Sequence, residues 1–235
     1  MGMEKEHLVV ISNPRNMSEV PDGSVQLVIA SPPYFDMNDE RQPEYFGDYL
    51  KEMQLVFNEC YRVLQAGRHI CVNVCDVIGK GCAHPYPAHY VLLLQRVGFE
   101  YRDDIIWQKP AYGSPNNVLG HILIMRKGRA DFRKIGQSER KQAIFDIRTA
   151  MRGWDSGSSQ LPCAISETLI KLYTCEGETV FDPFLGDGMT ATAAARLGRC
   201  SISYEPDLSR LPSILQRSGI APDKVKIIEQ RRLFQ

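Results

Sequence analysis

Two short stretches hold the residues best able to do chemistry. The first is Ser31-Pro32-Pro33-Tyr34. A serine hydroxyl both donates and accepts a hydrogen bond, a prolyl carbonyl only accepts, and a tyrosine ring offers a flat face. Proline lacks a backbone N–H and has a fixed φ, so the paired prolines stiffen the stretch. Such a shelf suits a planar heterocycle that carries an exocyclic amino group. The second stretch is Asp182-Pro183-Phe184-Leu185-Gly186-Asp187-Gly188, followed by the Ala-rich Met189–Leu197 and then by Glu205. Gly186 and Gly188 allow the backbone to come close to a ligand, and the start of the next helix aims free N–H groups at the same place. Glu205 stands 17 residues after Gly188, near the ~20-residue offset at which an acid in such units holds ribose hydroxyls. A carboxylate suits that task because it accepts from both hydroxyls of a cis-diol.

The dinucleotide pattern G-x-G-x-x-G is absent, and the charge of Asp187 opposes a pyrophosphate. The second stretch therefore points to an adenosine-bearing cofactor with a positive or zwitterionic end. S-adenosylmethionine is the natural candidate.

These stretches need strands to carry them. Five apolar residues fall within Val25–Ala30, as a strand buried on both faces requires, and the run stops at the two prolines. His7–Ser12, His69–Val74, Asp104–Trp107, His121–Met125, Thr179–Asp182 and Cys200–Tyr204 are further predicted strands, with a weaker one at Val225–Ile228. Apolar spacing of three and four predicts a helix from Asp48 to Leu64, with Gly67 helping to end it. Val91–Val97 closed by Gly98, Gln160–Tyr173, Met189–Leu197 closed by Gly198, and a short stretch in the tail are the other predicted helices. The polar connector from Phe35 to Gly47 is expected to lie over the site. Strands alternating with helices predict an α/β fold, a doubly wound, mostly parallel sheet in one domain spanning 1–235.

The 28 basic and 28 acidic residues cancel, so nucleic-acid binding has to come from a local patch. Residues 108–160 form a short insertion whose second half is rich in Lys and Arg, a candidate target-recognition segment. Seven cysteines without a C-x-x-C pair suggest reduced thiols. No apolar run approaches the roughly 20 residues of a spanning helix, and neither a signal peptide nor a myristoylation site begins the chain, so a cytoplasmic location is expected. Cys82, His84 and His89 are too irregularly spaced for a metal site, and none is expected; a proline-rich loop is the better account of that stretch. Trp107 is expected in the core, and Glu59 and Arg62 on a solvated helix face.

The order of these segments resembles the permuted β class of DNA amino-methyltransferases. Ser31-Pro32-Pro33-Tyr34 matches that family's S/D/N-P-P-Y/F/W tetrad, which in this class precedes the cofactor loop. Phe181-Asp182-Pro183-Phe184-Leu185-Gly186-Asp187-Gly188-Met189-Thr190 resembles the loop D-P-F-x-G-S-G-T-T. Tyr61-Arg62-Val63-Leu64-Gln65-Ala66-Gly67 is similar to R-V-L-K-P-G-G, and Ile105-Ile106-Trp107-Gln108-Lys109-Pro110 to I-I-W-x-K-P. The likeness spans roughly residues 8 to 206. Three departures stand out: Asp187 where Ser is usual, Met189 where Thr is common, and Asn13 where an acid often follows the first strand. The segment available for target recognition is also shorter than the family commonly has.

The resemblance implies a circularly permuted, Rossmann-like class I methyltransferase fold. It also implies methyl transfer from S-adenosylmethionine to the exocyclic amino nitrogen of a base flipped out of duplex DNA. Ser31, Pro32, Pro33 and Tyr34 would be catalytic, the Ser31 hydroxyl and Pro32 carbonyl accepting from the amino group while Tyr34 stacks on the base. Asn13, Pro162, Asp182, Pro183, Phe184, Gly186, Asp187, Gly188 and Glu205 would bind the cofactor. Lys127, Arg129, Arg133, Lys134, Arg140 and Lys141 would contact DNA. Serine as the first tetrad residue resembles members that modify cytosine N4, whereas Asp is more usual for adenine N6. Cytosine N4 is therefore favoured over adenine N6, with a non-catalytic DNA-binding relative and an RNA or protein amide methyltransferase as remoter alternatives. A homodimer and a cognate restriction endonuclease are partners that the family allows.

Overall fold

The computed structural model describes residues 6–35, 43, 45–79, 82–108, 119–129, 163–218, 220 and 222–229. Its first half contains strands β1 (His7–Ile11), β2 (Val25–Ala30), β3 (Leu64–Val74), β4 (Val77–Gly79), β5 (Cys82–His84), β6 (Phe99–Gln108) and β7 (Leu119–Lys127). Helices α1 (Phe46–Val63) and α2 (Tyr86–Val97) lie between them. The second half contributes α3 (Cys163–Tyr173), β8 (Thr179–Asp182), α4 (Met189–Arg196), β9 (Cys200–Tyr204), α5 (Leu211–Ser218) and β10 (Val225–Glu229).

Eight strands form one sheet in the order β10-β1-β9-β8-β2-β3-β7-β6. Every neighbouring pair is parallel except those made by β7, which runs against both β3 and β6. β2 lies inside this sheet, and its apolar run divides between the two faces. Val28 and Ala30 join the cluster that contains Phe57 of α1 and Tyr90 and Leu94 of α2. Leu27 and Ile29 join Ile165, Leu169 and Ile170 of α3 and Ala193 and Ala194 of α4. Burial on both sides is why no polar residue interrupts the run from Leu27 to Ala30. A third cluster, with Val9, Leu185, Ala191, Leu211 and Ile214, packs α5 beneath the β1 end of the sheet.

Three local expectations need correction. Gly67 does not end α1, because the chain passes straight from that helix into β3 at Leu64. Instead Gly67 has φ 79° within an irregular stretch where the register jumps from Val25↔Leu64 to Leu27↔His69. That bulge needs a residue without a Cβ clash at positive φ. Second, α2 begins at Tyr86, five residues before the expected Val91. The prolines there read as breakers, yet proline is tolerated in a first helical turn, where the missing N–H has no intrahelical partner. Third, Cys82–His84 is not a loop but pairs antiparallel with Val77–Gly79.

Trp107 is buried, as expected, and lies opposite Gly120 across the β6–β7 ladder. A Cβ on Gly120 would stand 2.3 Å from the indole Cε2. Gly120→Ala must therefore push the indole out of its place. The variant should lose about 1–3 kcal/mol of unfolding free energy in urea titration. Gly47→Ala, in the first turn of α1 with open space around it, should be neutral or slightly stabilising.

Candidate active site

β2 and β8 are parallel neighbours, with Leu27↔Val180 and Val28↔Phe181 in register. Their C-terminal ends therefore emerge side by side, and the two chemically equipped stretches face one cavity of about 580 Å³. Ser31, Pro32, Pro33 and Tyr34 line it together with Asp182, Pro183, Phe184, Gly186, Asp187, Glu205 and Asn13. Gly188 is not a lining residue. It sits at φ 78° as the N-cap of α4, and its N–H donates to the Leu185 carbonyl. Pro162 lies outside the described residues.

The shelf is held from beneath by hydroxyl groups. Tyr49 of α1 donates to the Pro33 carbonyl at 2.5 Å, and the Phe35 N–H donates to the hydroxyl of Tyr86 of α2 at 2.8 Å. Among the described residues no such donor reaches the Pro32 carbonyl, and Pro32 lines the cavity. The Tyr34 hydroxyl meets Cys75 Sγ at 2.6 Å, just beyond the end of β3, and Tyr86 packs edge-on against the Tyr34 ring at 5.8 Å. Burial, then the neighbouring Cys75, raises the Tyr34 phenol well above its ordinary value. It stays neutral and serves as a surface. Behind Ser31, Asn73 of β3 reaches Ser31 Oγ with its amide nitrogen at 3.4 Å, while Trp107 Nε1 donates to Asn73 Oδ1 at 3.2 Å. Asn73 was not singled out by the sequence, where it is one polar residue in an apolar strand.

The opposite wall is acidic. Asp182 is buried at the end of β8, where its Oδ1 accepts from the Phe184 N–H at 3.0 Å and the Thr190 side chain also bonds to the carboxylate. Burial outweighs both bonds and pushes the carboxyl up to about 7. Glu205 is 2% exposed at the end of β9, and burial raises it too. Its oxygens accept from the Asp207 N–H and from Arg210, whose guanidinium also donates to the Gly186 carbonyl. The Leu185 N–H donates to the Tyr204 carbonyl, tying the glycine loop to the β9 terminus. Asn13 Oδ1 accepts from both the N–H and Nε of Arg15, which pairs with Glu52 of α1 at 2.6 Å. Two buried carboxyl groups and Asp187 around one cavity suit a ligand that brings positive charge and hydroxyl donors.

The expected DNA contacts fare differently. Lys127 points away from the cavity: at the far end of β7 it is level with Phe99, where β6 starts. Its Nζ donates to the carbonyls of Tyr61, Arg62 and Leu64 at the end of α1. A cation there satisfies orphan helix carbonyls, so its placement argues against a phosphate contact. Arg129 is exposed and follows it at the same end. Arg133, Lys134, Arg140 and Lys141 lie outside the described residues. Glu59 and Arg62 are not simply solvated: they pair at 2.8 Å and bind the backbone of Met17, while Arg62 also holds the Val20 carbonyl. Among the described residues no group of three His, Cys, Asp or Glu side chains is placed to hold a metal, and no helix is long and apolar enough to cross a membrane.

A mostly parallel sheet with one reversed strand, ligand loops at the strand ends and acids at two of them define a Rossmann-like, class I methyltransferase fold. The chain belongs to the N6/N4 DNA methylase family, whose profile matches residues 25–216. It is 29% identical to the Type II methyltransferase M.MjaI of Methanocaldococcus jannaschii, over 93% of each chain. It is also 29% identical to the Type II methyltransferase M.MthZI of Methanothermobacter thermautotrophicus, over 87% of this chain and 74% of that one. Among solved structures, TTHA0409 from Thermus thermophilus, a putative DNA modification methylase complexed with S-adenosyl-L-methionine, superposes with a TM-score of 0.76 at 26% identity, covering 94% of this chain and 99% of that one. The PvuII DNA methyltransferase, cytosine-N4-specific, shares the fold with a TM-score of 0.73 at 17% identity, over 95% of this chain and 91% of that one.

The raised Asp182 carboxyl has a consequence for stability. Its folded value of about 7 lies above the ordinary 3.8, so the folded chain holds a proton there that the unfolded chain releases. Its contribution to stability is present below the unfolded value and is lost as pH rises through the folded one. Asp182→Asn removes that dependence. In thermal or urea unfolding the variant should match the parent protein near about pH 4 and exceed it by roughly 1–4 kcal/mol above about pH 8.

Proposed function

We propose that this N6/N4 DNA methylase transfers a methyl group from S-adenosylmethionine to the exocyclic N4 of a cytosine flipped out of duplex DNA, and that it is a permuted, β-class enzyme. The observation that carries this reading is the single cavity shared by the Ser31–Tyr34 shelf and the Asp182–Glu205 wall. Serine in the first tetrad position, which resembles members that modify cytosine N4, favours cytosine over adenine.

The residues present fit the cofactor. Glu205 and Asp182 offer buried acceptors for hydroxyl and cationic groups, and the positive φ of Gly186 keeps the loop backbone open beside them. When bound, S-adenosylmethionine supplies an electrophilic methyl on a sulfonium, open to direct displacement by an amino nitrogen. The chain's own residues then have to hold the base. Tyr34, tethered through Cys75, presents its ring for stacking. The Pro32 carbonyl accepts from the amino group and orients the nitrogen lone pair away from the ring plane. Positioning supplies most of the rate in such a reaction, since no covalent intermediate with the protein is needed. The strands β6 and β7 open toward the shelf end of the sheet, where Val74 and His121 are level. Residues 108–160, which include the connection leaving β6 at that end, are the proposed source of sequence recognition.

Unmethylated duplex DNA, the purified protein and labelled cofactor test this, with digestion to nucleosides and mass spectrometry as the readout. N4-methylcytosine is expected. N6-methyladenine would move the assignment to adenine, and no transfer to DNA would overturn it. Tyr34→Ala should lower kcat/KM for DNA roughly 10- to 100-fold, the worth of one base-stacking contact. Tyr34→Phe, which keeps the ring, should stay close to the parent protein.

A further inference from the structure

We propose that Asn73 is a positioning residue, held by Trp107, that turns the Ser31 hydroxyl into a hydrogen-bond donor toward the target base. The inference rests on the amino-methyltransferase reading and specifies how that site reads its substrate. An indole N–H can only donate, so the Trp107 Nε1 contact at 3.2 Å fixes which end of the Asn73 amide is the oxygen. The amide nitrogen is then the end that faces Ser31 Oγ, at 3.4 Å. An amide nitrogen also only donates, so Ser31 Oγ accepts in that contact and its own proton is left for the cavity.

The indole cannot easily rotate away. Trp107 is 1% exposed, and its ring lies against Gly120 with no room for even a methyl group. Asn73 is 5% exposed and lines the cavity. The relay therefore begins in the core and ends at the shelf, with every member on a strand or at its end.

A donor at Ser31 beside an acceptor at the Pro32 carbonyl complements one chemical pattern: a ring nitrogen with a lone pair next to a carbon bearing an amino group. Cytosine presents this pattern at N3 and N4, and adenine at N1 and N6. Thymine presents only ring N–H groups beside carbonyls, and guanine does the same at N1 and O6, the reverse arrangement, so two mismatched polar contacts exclude those edges. The relay thus selects amino-bearing bases before any methyl moves. It also revises the expectation that Ser31 accepts from the amino group: the acceptor is Pro32, and Ser31 holds the ring.

Asn73→Asp tests the direction of the relay. An ionised carboxylate would accept from the Ser31 hydroxyl and turn its proton away from the base. We expect kcat at saturating cofactor to fall about tenfold near neutral pH, the loss of one neutral hydrogen bond. The cofactor KM should hold. On acidification the protonated carboxyl can donate to Ser31 again, so the ratio of variant to parent kcat should climb as pH falls. A ratio that stays flat with pH overturns the proposal, because a purely structural defect would not recover. Trp107→Phe keeps the ring and removes only the N–H; it should also lower kcat about tenfold, without recovery at low pH. An unchanged kcat in that variant overturns the relay. Independently of activity, the Trp107 indole ¹H–¹⁵N resonance should move upfield in Asn73→Ala. If it does not move, the relay is wrong. If it moves while the parent protein transfers no methyl to any DNA, the contact stands and the functional reading fails instead.

Discussion

The parallel pairing of β2 with β8 is the constraint on which the rest of the site depends. Two strands from opposite ends of the chain lie side by side, with Val28 level with Phe181. Because they run the same way, both release their loops at one edge of the sheet. The Ser31 shelf and the glycine loop could not share a cavity if either strand were reversed or displaced toward an edge. Parallel strands are joined only by crossovers, which is why helices cover both faces and why the paired strands are so uniformly apolar.

The cavity is polar at its walls and braced from outside. Its shelf is pinned by tyrosine hydroxyls from α1 and α2, and its glycine loop by a backbone bond to the end of β9. These supports fix the geometry before any ligand arrives, which favours catalysis that works by placement. The cost is visible in the buried acids. Asp182 is held where burial resists its charge, and Glu205 draws Arg210 over it. A cationic ligand would relieve the first of these tensions, which gives the acidic wall a functional reason to persist.

The opposite edge of the sheet uses charge for another purpose. Lys127 closes the end of α1, Arg62 and Glu59 anchor the loop at Met17, and Arg68 pairs with Glu178. These side chains satisfy backbone carbonyls and one another, so basic residues at this edge build the fold. Proximity in sequence to a basic stretch made Lys127 look like a DNA contact. Its partners show a helix cap.

Local chemistry made much of this protein legible from its residues. The run Val25–Ala30 marked a doubly buried strand with its observed limits, since burial on two faces leaves little place for a polar side chain. Gly98 closes α2 in the left-handed conformation, as a residue without a Cβ can. The two ligand loops were readable because their prolines and glycines act on the backbone within a few residues. What lay beyond reach depended on distant neighbours. Gly67 serves a bulge set by the register between β2 and β3, not the helix beside it. Asn73 matters only because Trp107 lies on one side and Ser31 on the other, each more than thirty residues away in sequence. Backbone preferences are properties of short segments and are written in order along the chain. The direction of a hydrogen bond between side chains is decided by which groups the finished sheet brings together, and only the tertiary structure contains that information.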